Sequence, residues 1–299
     1  MHPLVVSLKR RLQALCLVAA AVVAAGLAAS SAARAAAQVT IVEGEATLVD
    51  GARALVAVEG LKVGDETLVR TGASTTLLRV EWPDGTVADF GPDTQAMLEP
   101  GGFGKRAGRA PAVYLLRGWL KLSSLGQAAT PSALSARIDL APFKGSLVMM
   151  AVGDETWVFA ESGSATVAER NTRPAVNLAL KPGEVYTRNG VARGAVAPRP
   201  SPSQMQRVPR GFRDTLPLRS AALQGRSVAV RNAPAPTHAD LREWLTAEMP
   251  LRRGFTRRFA ERARDGAFRA GLVEHLVAHP EWEPVLFPER FVKPASAPR

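Results

Sequence analysis

The sequence predicts a mainly β protein: a bent-strand β-roll or short solenoid-like domain with internal duplication, plus a small C-terminal α-helical subdomain. Three observations carry this. Residues 38–190 alternate short β-branched and apolar runs with glycine-centred turns and contain no stretch of helical spacing. A matched set of motifs recurs at an offset of 119 positions within that stretch. After residue 236 the apolar residues change to spacings of three and four, the period of a helix face. The predicted divisions are a leader at 1–37, the β domain at 38–190, an Arg/Pro-rich linker at 191–235 and the helical subdomain at 236–299.

The leader explains part of the charge. The chain has 299 residues, 38 Lys and Arg, 27 Asp and Glu, and a net charge of +11, which taken alone suggests nucleic-acid binding. Lys9, Arg10 and Arg11 precede an apolar run over 12–29, and small residues lead to Ala35, Ala36 and Ala37. A positive start, an apolar centre and a small-residue exit form a secretory signal peptide, read as cleaved after Ala37 and directing the chain to the periplasm. An uncleaved inner-membrane anchor is the alternative. Cleavage removes Lys9, Arg10, Arg11 and Arg34 and no acid, leaving 262 residues at +7, with Cys16, the sole cysteine, gone. A chain without cysteine has no disulfide framework and no Cys-based zinc module.

Within the β stretch, Val39–Val42 and Ala46–Val49 flank Gly44. Leu77–Trp82 and Val87–Phe90 flank the turn Pro83-Asp84-Gly85-Thr86 as a hairpin. Ala112–Leu122 forms another strand pair hinged at Gly118, and Ser146–Ala160 a third hairpin turned at Gly153. The Gly-rich, basic segment 101–111 is an exposed loop. Residues 38–187 have 14 Lys and Arg against 17 acids, a net of −3, whereas 188–235 has nine Arg, one acid and six prolines. The basicity therefore sits in the linker and not in the β fold, and nucleic acid is not an expected partner. Arg210–Leu218 has apolar anchors and could dock on a neighbouring surface. In the tail, Thr237 is the predicted N-cap, with Asp240 in the first turn. Leu241, Trp244, Leu245 and Met249 line one stripe, Phe255 and Phe259 pair at i,i+4, and Phe268, Leu272 and Leu276 continue the spacing.

The repeat pairs Gly44-Glu-Ala-Thr-Leu48 with Gly163-Ser-Ala-Thr-Val167, and Leu61-Lys-Val-Gly64-Asp65 with Leu180-Lys-Pro-Gly183-Glu184. Gly44 and Gly163 are predicted bends between strand segments, Gly64 and Gly183 tight turns requiring positive φ, and Gly118 the bend of a partial third copy.

These residues resemble the FecR domain, a periplasmic all-β module. The resemblance covers about residues 38–190. It rests on the Gly44 hinge in Val42–Ala46, the Leu-x-x-Gly-Asp segment reaching Thr71-Gly72, the strand running into Pro83–Thr86, the strand with Gly118, and the closing Leu180-x-x-Gly-Glu. It implies an envelope module for binding or sensing, with a role in signalling. The best-known relatives carry a cytoplasmic anti-sigma segment before a membrane span. About ten residues stand in that place here, so direct sigma regulation is not expected.

The expected function is thus an exported, non-catalytic module that binds an envelope protein or a glycan. An envelope-polymer hydrolase and an assembly scaffold docking through the helical tail are the alternatives. Trp82, Trp119 and Trp157 lie on strands and would stack against a sugar if exposed, or fill the core if buried. Arg252, Arg253, Arg257 and Arg258 are candidates for docking a partner and for peripheral contact with an anionic membrane surface; a solvated helix face is the plainer reading. His275 and His279 stand at i,i+4 spacing, for which a helix-surface pair is a better account than metal binding. Neither a Ser-His-Asp arrangement nor a phosphate-binding loop is present, and no cofactor is expected.

Overall fold

The computed structural model describes residues 36–105, 108 and 110–291. Residues 1–35 of the predicted leader lie outside the described residues, as do Arg106, Ala107 and Arg109 of the basic loop, whereas Ala37, the leader's predicted last residue, is buried at the start of the first strand. The chain is mainly β, as its period-2 patterning requires. The described residues form 17 strands in one unclosed sheet that folds over into two layers, with short helices after them.

The strands are β1 (Ala37–Glu43), β2 (Ala46–Asp50), β3 (Arg53–Val56), β4 (Lys62–Val63), β5 (Leu68–Thr71), β6 (Leu77–Glu81), β7 (Thr86–Phe90), β8 (Gln95–Leu98), β9 (Val113–Ser124), β10 (Ala133–Leu134), β11 (Ile138–Leu140), β12 (Ser146–Val152), β13 (Glu155–Ser162), β14 (Ala165–Glu169), β15 (Val176–Leu180), β16 (Val185–Asn189) and β17 (Ala195–Ala197). The first sheet runs β4-β1-β6-β7-β9-β12-β13-β16-β17, antiparallel throughout. The second runs β3-β2-β5-β8-β9-β10-β11-β14-β15, antiparallel except where β9 meets β10. Strand β9 belongs to both. It was expected as a strand pair and is instead one strand that bends at Gly118, where φ is +99° and a Cβ would stand 2.5 Å from the Thr94 Cα. Only glycine tolerates that combination.

The duplicated motifs mark the same kind of corner. Strand β1 turns at Gly44 into β2, and β13 turns at Gly163 into β14 with φ again positive; β14 occupies the residues of β2 displaced by the same 119 positions. Each copy continues into a hairpin, β2–β3 and β14–β15. The copies then part. The turn at Gly64 leads to β5 beside β2 in the second sheet, whereas the turn at Gly183 leads to β16 beside β13 in the first. The positive φ expected at Gly64 falls on Glu66 instead, at +57°, while Gly183 has φ of +89°.

Alternation sorts the side chains. Leu78, Val80, Ala88, Phe90, Leu120, Leu122, Leu147, Met149 and Val158 face Leu48, Val69, Ala96, Leu115, Ile138 and Val167 of the opposite sheet, forming the central core. Both outer faces are covered as well. The first sheet carries Ile41, Leu77, Trp119, Val148, Met150 and Trp157 against Val208 and Phe212 from the segment expected to be a linker. That segment holds a six-residue helix, α1 (Pro202–Arg207), whose Ser201 cap and Gln204 close a capping box. The stretch from Val208 to Leu223 packs along the sheet.

The second sheet carries Val49, Leu68, Met97, Tyr114 and Leu134 against the C-terminal helices α2 (His238–Leu245), α3 (Met249–Arg252), α4 (Phe255–Arg258), α5 (Gly266–Glu274) and α6 (Glu283–Leu286). Thr237 caps α2 as predicted, accepting from the Asp240 N–H while the Asp240 carboxylate accepts from the Thr237 N–H. Among the described residues no helix is long and apolar enough to cross a membrane.

Candidate functional site

The tryptophans proposed for sugar stacking are enclosed. Trp82, Trp119 and Trp157 are 5%, 9% and 0% exposed. Trp82 points into the central core, and Trp119 packs edge-on against Trp157 at 5.4 Å beneath the strap formed by residues 202–223. Of the two readings, core describes these rings, and none offers a stacking face: alternation turned one ring inward, and the strap covers the other two.

Charged side chains lie on the same outer face. Arg79 donates two bonds to Asp89, at 2.6 and 2.8 Å, with both side chains buried. Its remaining nitrogen donates to the carbonyl of Leu216 at 3.1 Å. Lys121 donates to the carbonyl of Phe212 at 2.6 Å and pairs with Glu161 at 2.8 Å. The Glu81 carboxylate accepts from the Thr40 hydroxyl and from the backbone N–H groups of Arg219 and Ser220. These contacts hold the strap to the sheet. Burial pushes the Asp89 carboxyl above its ordinary range, and the Arg79 partner opposes that push. A cavity of about 360 Å³ remains under the strap, lined by Arg79, Asp89, Lys121, Glu161 and Asp214 together with small hydroxyl side chains such as Ser123 and Ser146.

A larger cleft, of about 710 Å³, opens where the helical layer meets the end of the second sheet. One wall is acidic: Asp50 lies at the end of β2, and Asp65 and Glu66 lie in the turn before β5. The other wall is Arg253, Arg257 and Arg258, with Leu251 and Phe255 at its base. Gly102 is structurally required there: its φ is +78°, and a Cβ would stand 2.9 Å from the Pro250 carbonyl oxygen.

The four arginines predicted for docking divide into two roles. Arg252 faces inward, donating to the carbonyl of Ala278 at 2.9 Å and pairing with Glu281 at 3.0 Å. Arg258 donates to the carbonyls of Glu66, Val49 and Gly51 and stacks over the Phe255 and Phe259 rings. Burial lowers the pKa of its guanidinium below the ordinary arginine range. These two anchor the layer. Arg253 and Arg257 are exposed on the cleft. A second tie stands nearby: Glu248 accepts from Arg170 at 2.7 and 2.5 Å and from the Tyr114 hydroxyl at 2.6 Å, which, with burial, drives the Tyr114 pKa upward.

Sequence reasoning missed the acidic wall. Asp65 was assigned only to a turn, and Glu66 lies 192 positions from Arg258, beyond the reach of any local pattern. The histidine expectation also changes. Helix α5 ends at Glu274 with His275 as its cap residue, and His279 follows a separate one-turn 3-10 helix and is fully buried. The two are not a helix-surface pair.

The sequence matches no known family model, and no curated protein matches it. Two crystal structures of a candidate anti-sigma factor from Parabacteroides distasonis, at 2.50 and 1.65 Å resolution, are similar to part of it, with 16% and 14% identity and TM-scores of 0.36 and 0.35. Each match covers 44% of this chain and 59% of that one, so the chain spans less than two thirds of their length. At that level the likeness extends neither fold nor function to this protein.

Proposed function

We propose that this chain is a non-catalytic binding or sensing module of the cell envelope, and that it takes a protein segment bearing both charges in the cleft between the second sheet and the helical layer. The observation that carries this reading is the cleft itself: about 710 Å³, with carboxylates on one wall and guanidiniums on the other. Such a site selects by charge order, because a segment inserted in the wrong direction sets like charges against each other. Glycan binding has less support, since the three strand tryptophans offer no ring face to a sugar. The leader pattern at 1–37 and the ordered FecR-like motifs support export and an envelope role. The scaffold alternative has its own observation: Val277 is 98% exposed on the helical layer, and Val273 is also exposed.

Site-specific photo-crosslinking in intact cells separates these readings. A crosslinker at Gly254, which lines the cleft and is exposed, is expected to capture one defined protein in the envelope fraction. Arg253→Glu combined with Arg257→Glu is expected to reduce that capture about tenfold. Capture only from a crosslinker at Val277 would establish the scaffold reading instead. An intact chain recovered from the cytosol would remove the envelope role altogether.

A further inference from the structure

Three histidines from three separate segments meet in the helical layer. His238 is the first residue of α2, His275 caps α5, and His279 follows the 3-10 turn. The His238 ring stands 5.2 Å from that of His275 and 6.0 Å from that of His279, centroid to centroid. Room for it exists because residue 271 is glycine; a Cβ there would lie 2.5 Å from the His238 Cγ. The surroundings are apolar. Phe268 meets His238 edge-on, and Trp282 is fully buried in the same layer. His279 is wholly buried, and neither of its ring nitrogens has a hydrogen-bond partner among the described residues; nor does Nε2 of His238. His275 alone is partnered, with Nδ1 3.1 Å from the Gly271 carbonyl.

The charged groups around the trio come from every packed element. Arg242 lies on α2. Glu274 stands 4.0 Å from His275. Arg252 of α3 is paired with Glu281. A proton on His238 or His279 would place a cation in a largely apolar site beside other imidazoles and an arginine, with the carboxylate facing His279, Glu281, already bonded to Arg252 and the one facing His238, Glu274, largely in solvent.

We propose that this trio is a proton-operated latch: with His238 and His279 neutral the helical layer closes on the second sheet, and protonation of either releases it. The proposal does not depend on the cleft being a binding site. Burial, followed by the neighbouring histidines, holds His238 below the ordinary imidazole value, and burial does the same for His279. A released tail takes up protons near pH 6.5, and the docked layer only at lower pH. The released state thus binds more protons below about pH 6.5. The stability of the docked layer is complete above that value and declines as the pH falls through it.

The test compares the purified chain at pH 7.5 and 5.5, a window in which ordinary carboxylates stay ionised. Its melting temperature is expected to fall by about 5 °C between the two. Limited proteolysis at pH 5.5 is expected to cut first within residues 236–291. In His238→Asn combined with His279→Leu, the difference between the two pH values is expected to shrink by more than half. That difference remains readable even if the variant melts lower at both. His275→Asn, at the most exposed ring, provides a milder second variant with a smaller reduction. An equal fall in wild type and double variant would overturn the latch, as would no fall in the wild type or first cuts in the strands. A rise in wild-type melting temperature with micromolar Zn²⁺ at pH 7.5, absent from the double variant, would also overturn it by making the trio a metal site.

Discussion

The first sheet hides its outer face beneath a strap of one short helix, two 3-10 turns and the irregular run between them, and the second beneath a layer of packed helices. The two covers are held differently. The strap buries few apolar side chains, and the run from residue 213 to 219 between its two 3-10 turns has no helical bonds within itself, so its backbone groups need other partners. The sheet beneath supplies the missing partners: Arg79 and Lys121 donate to strap carbonyls, and Glu81 accepts strap N–H groups. The helices satisfy their own backbones and can present aromatic residues. Phe255, Phe259, Phe268, Trp244 and Trp282 therefore do on the second face most of what charged groups do on the first, with Arg258 and Glu248 adding charged ties at its edge. A strand sequence with charges at outward positions thus need not face solvent; it can be prepared for a cover that needs hydrogen bonds.

The largest test of this contrast is Phe259→Ala. Its ring is fully buried, and its removal is expected to cost about 3–5 kcal/mol in urea denaturation. A loss under 1 kcal/mol would mean that the helical layer is not held by its aromatics. Next, Arg79→Met leaves Asp89 buried without its bidentate partner and is expected to cost about 3 kcal/mol. The double variant Arg79→Met, Asp89→Leu should recover most of that, since burying a charge alone costs more than losing the pair. If the double variant is as unstable as the single one, the pair itself supplies the stability. The smallest effect is expected at the edge of the helical layer, where Thr237→Ala removes the α2 cap and costs about 1 kcal/mol by thermal melting. No measurable change there would place the stability of α2 entirely in its buried face.

Much of the architecture was legible in the chain because its causes are local. Alternation identified β1, β2, β6 and β7, the turn at Gly85 and the bends at Gly44, Gly118 and Gly163 were marked by glycine itself, and Thr237 with Asp240 announced the start of α2. The candidate site was half legible. The arginines of the tail drew attention by clustering, yet nothing adjacent distinguished Arg258, which anchors, from Arg257, which lines the cleft. The capping box at Ser201 and Gln204 was also in the sequence and went unread among the prolines around it.

By itself, the sequence determined the strands, the corners, the helix starts and the separation of basic linker from mildly acidic β domain. Tertiary structure decided which outward residues stay outside. Trp119 and Trp157 became core, Lys121 became a clamp, Asp65 and Glu66 became a wall opposite arginines, and three scattered histidines became neighbours. The reason is one of range. Periodicity and capping act over a few residues, whereas burial requires a second surface, and here Lys121 meets its strap partner 91 positions further along the chain.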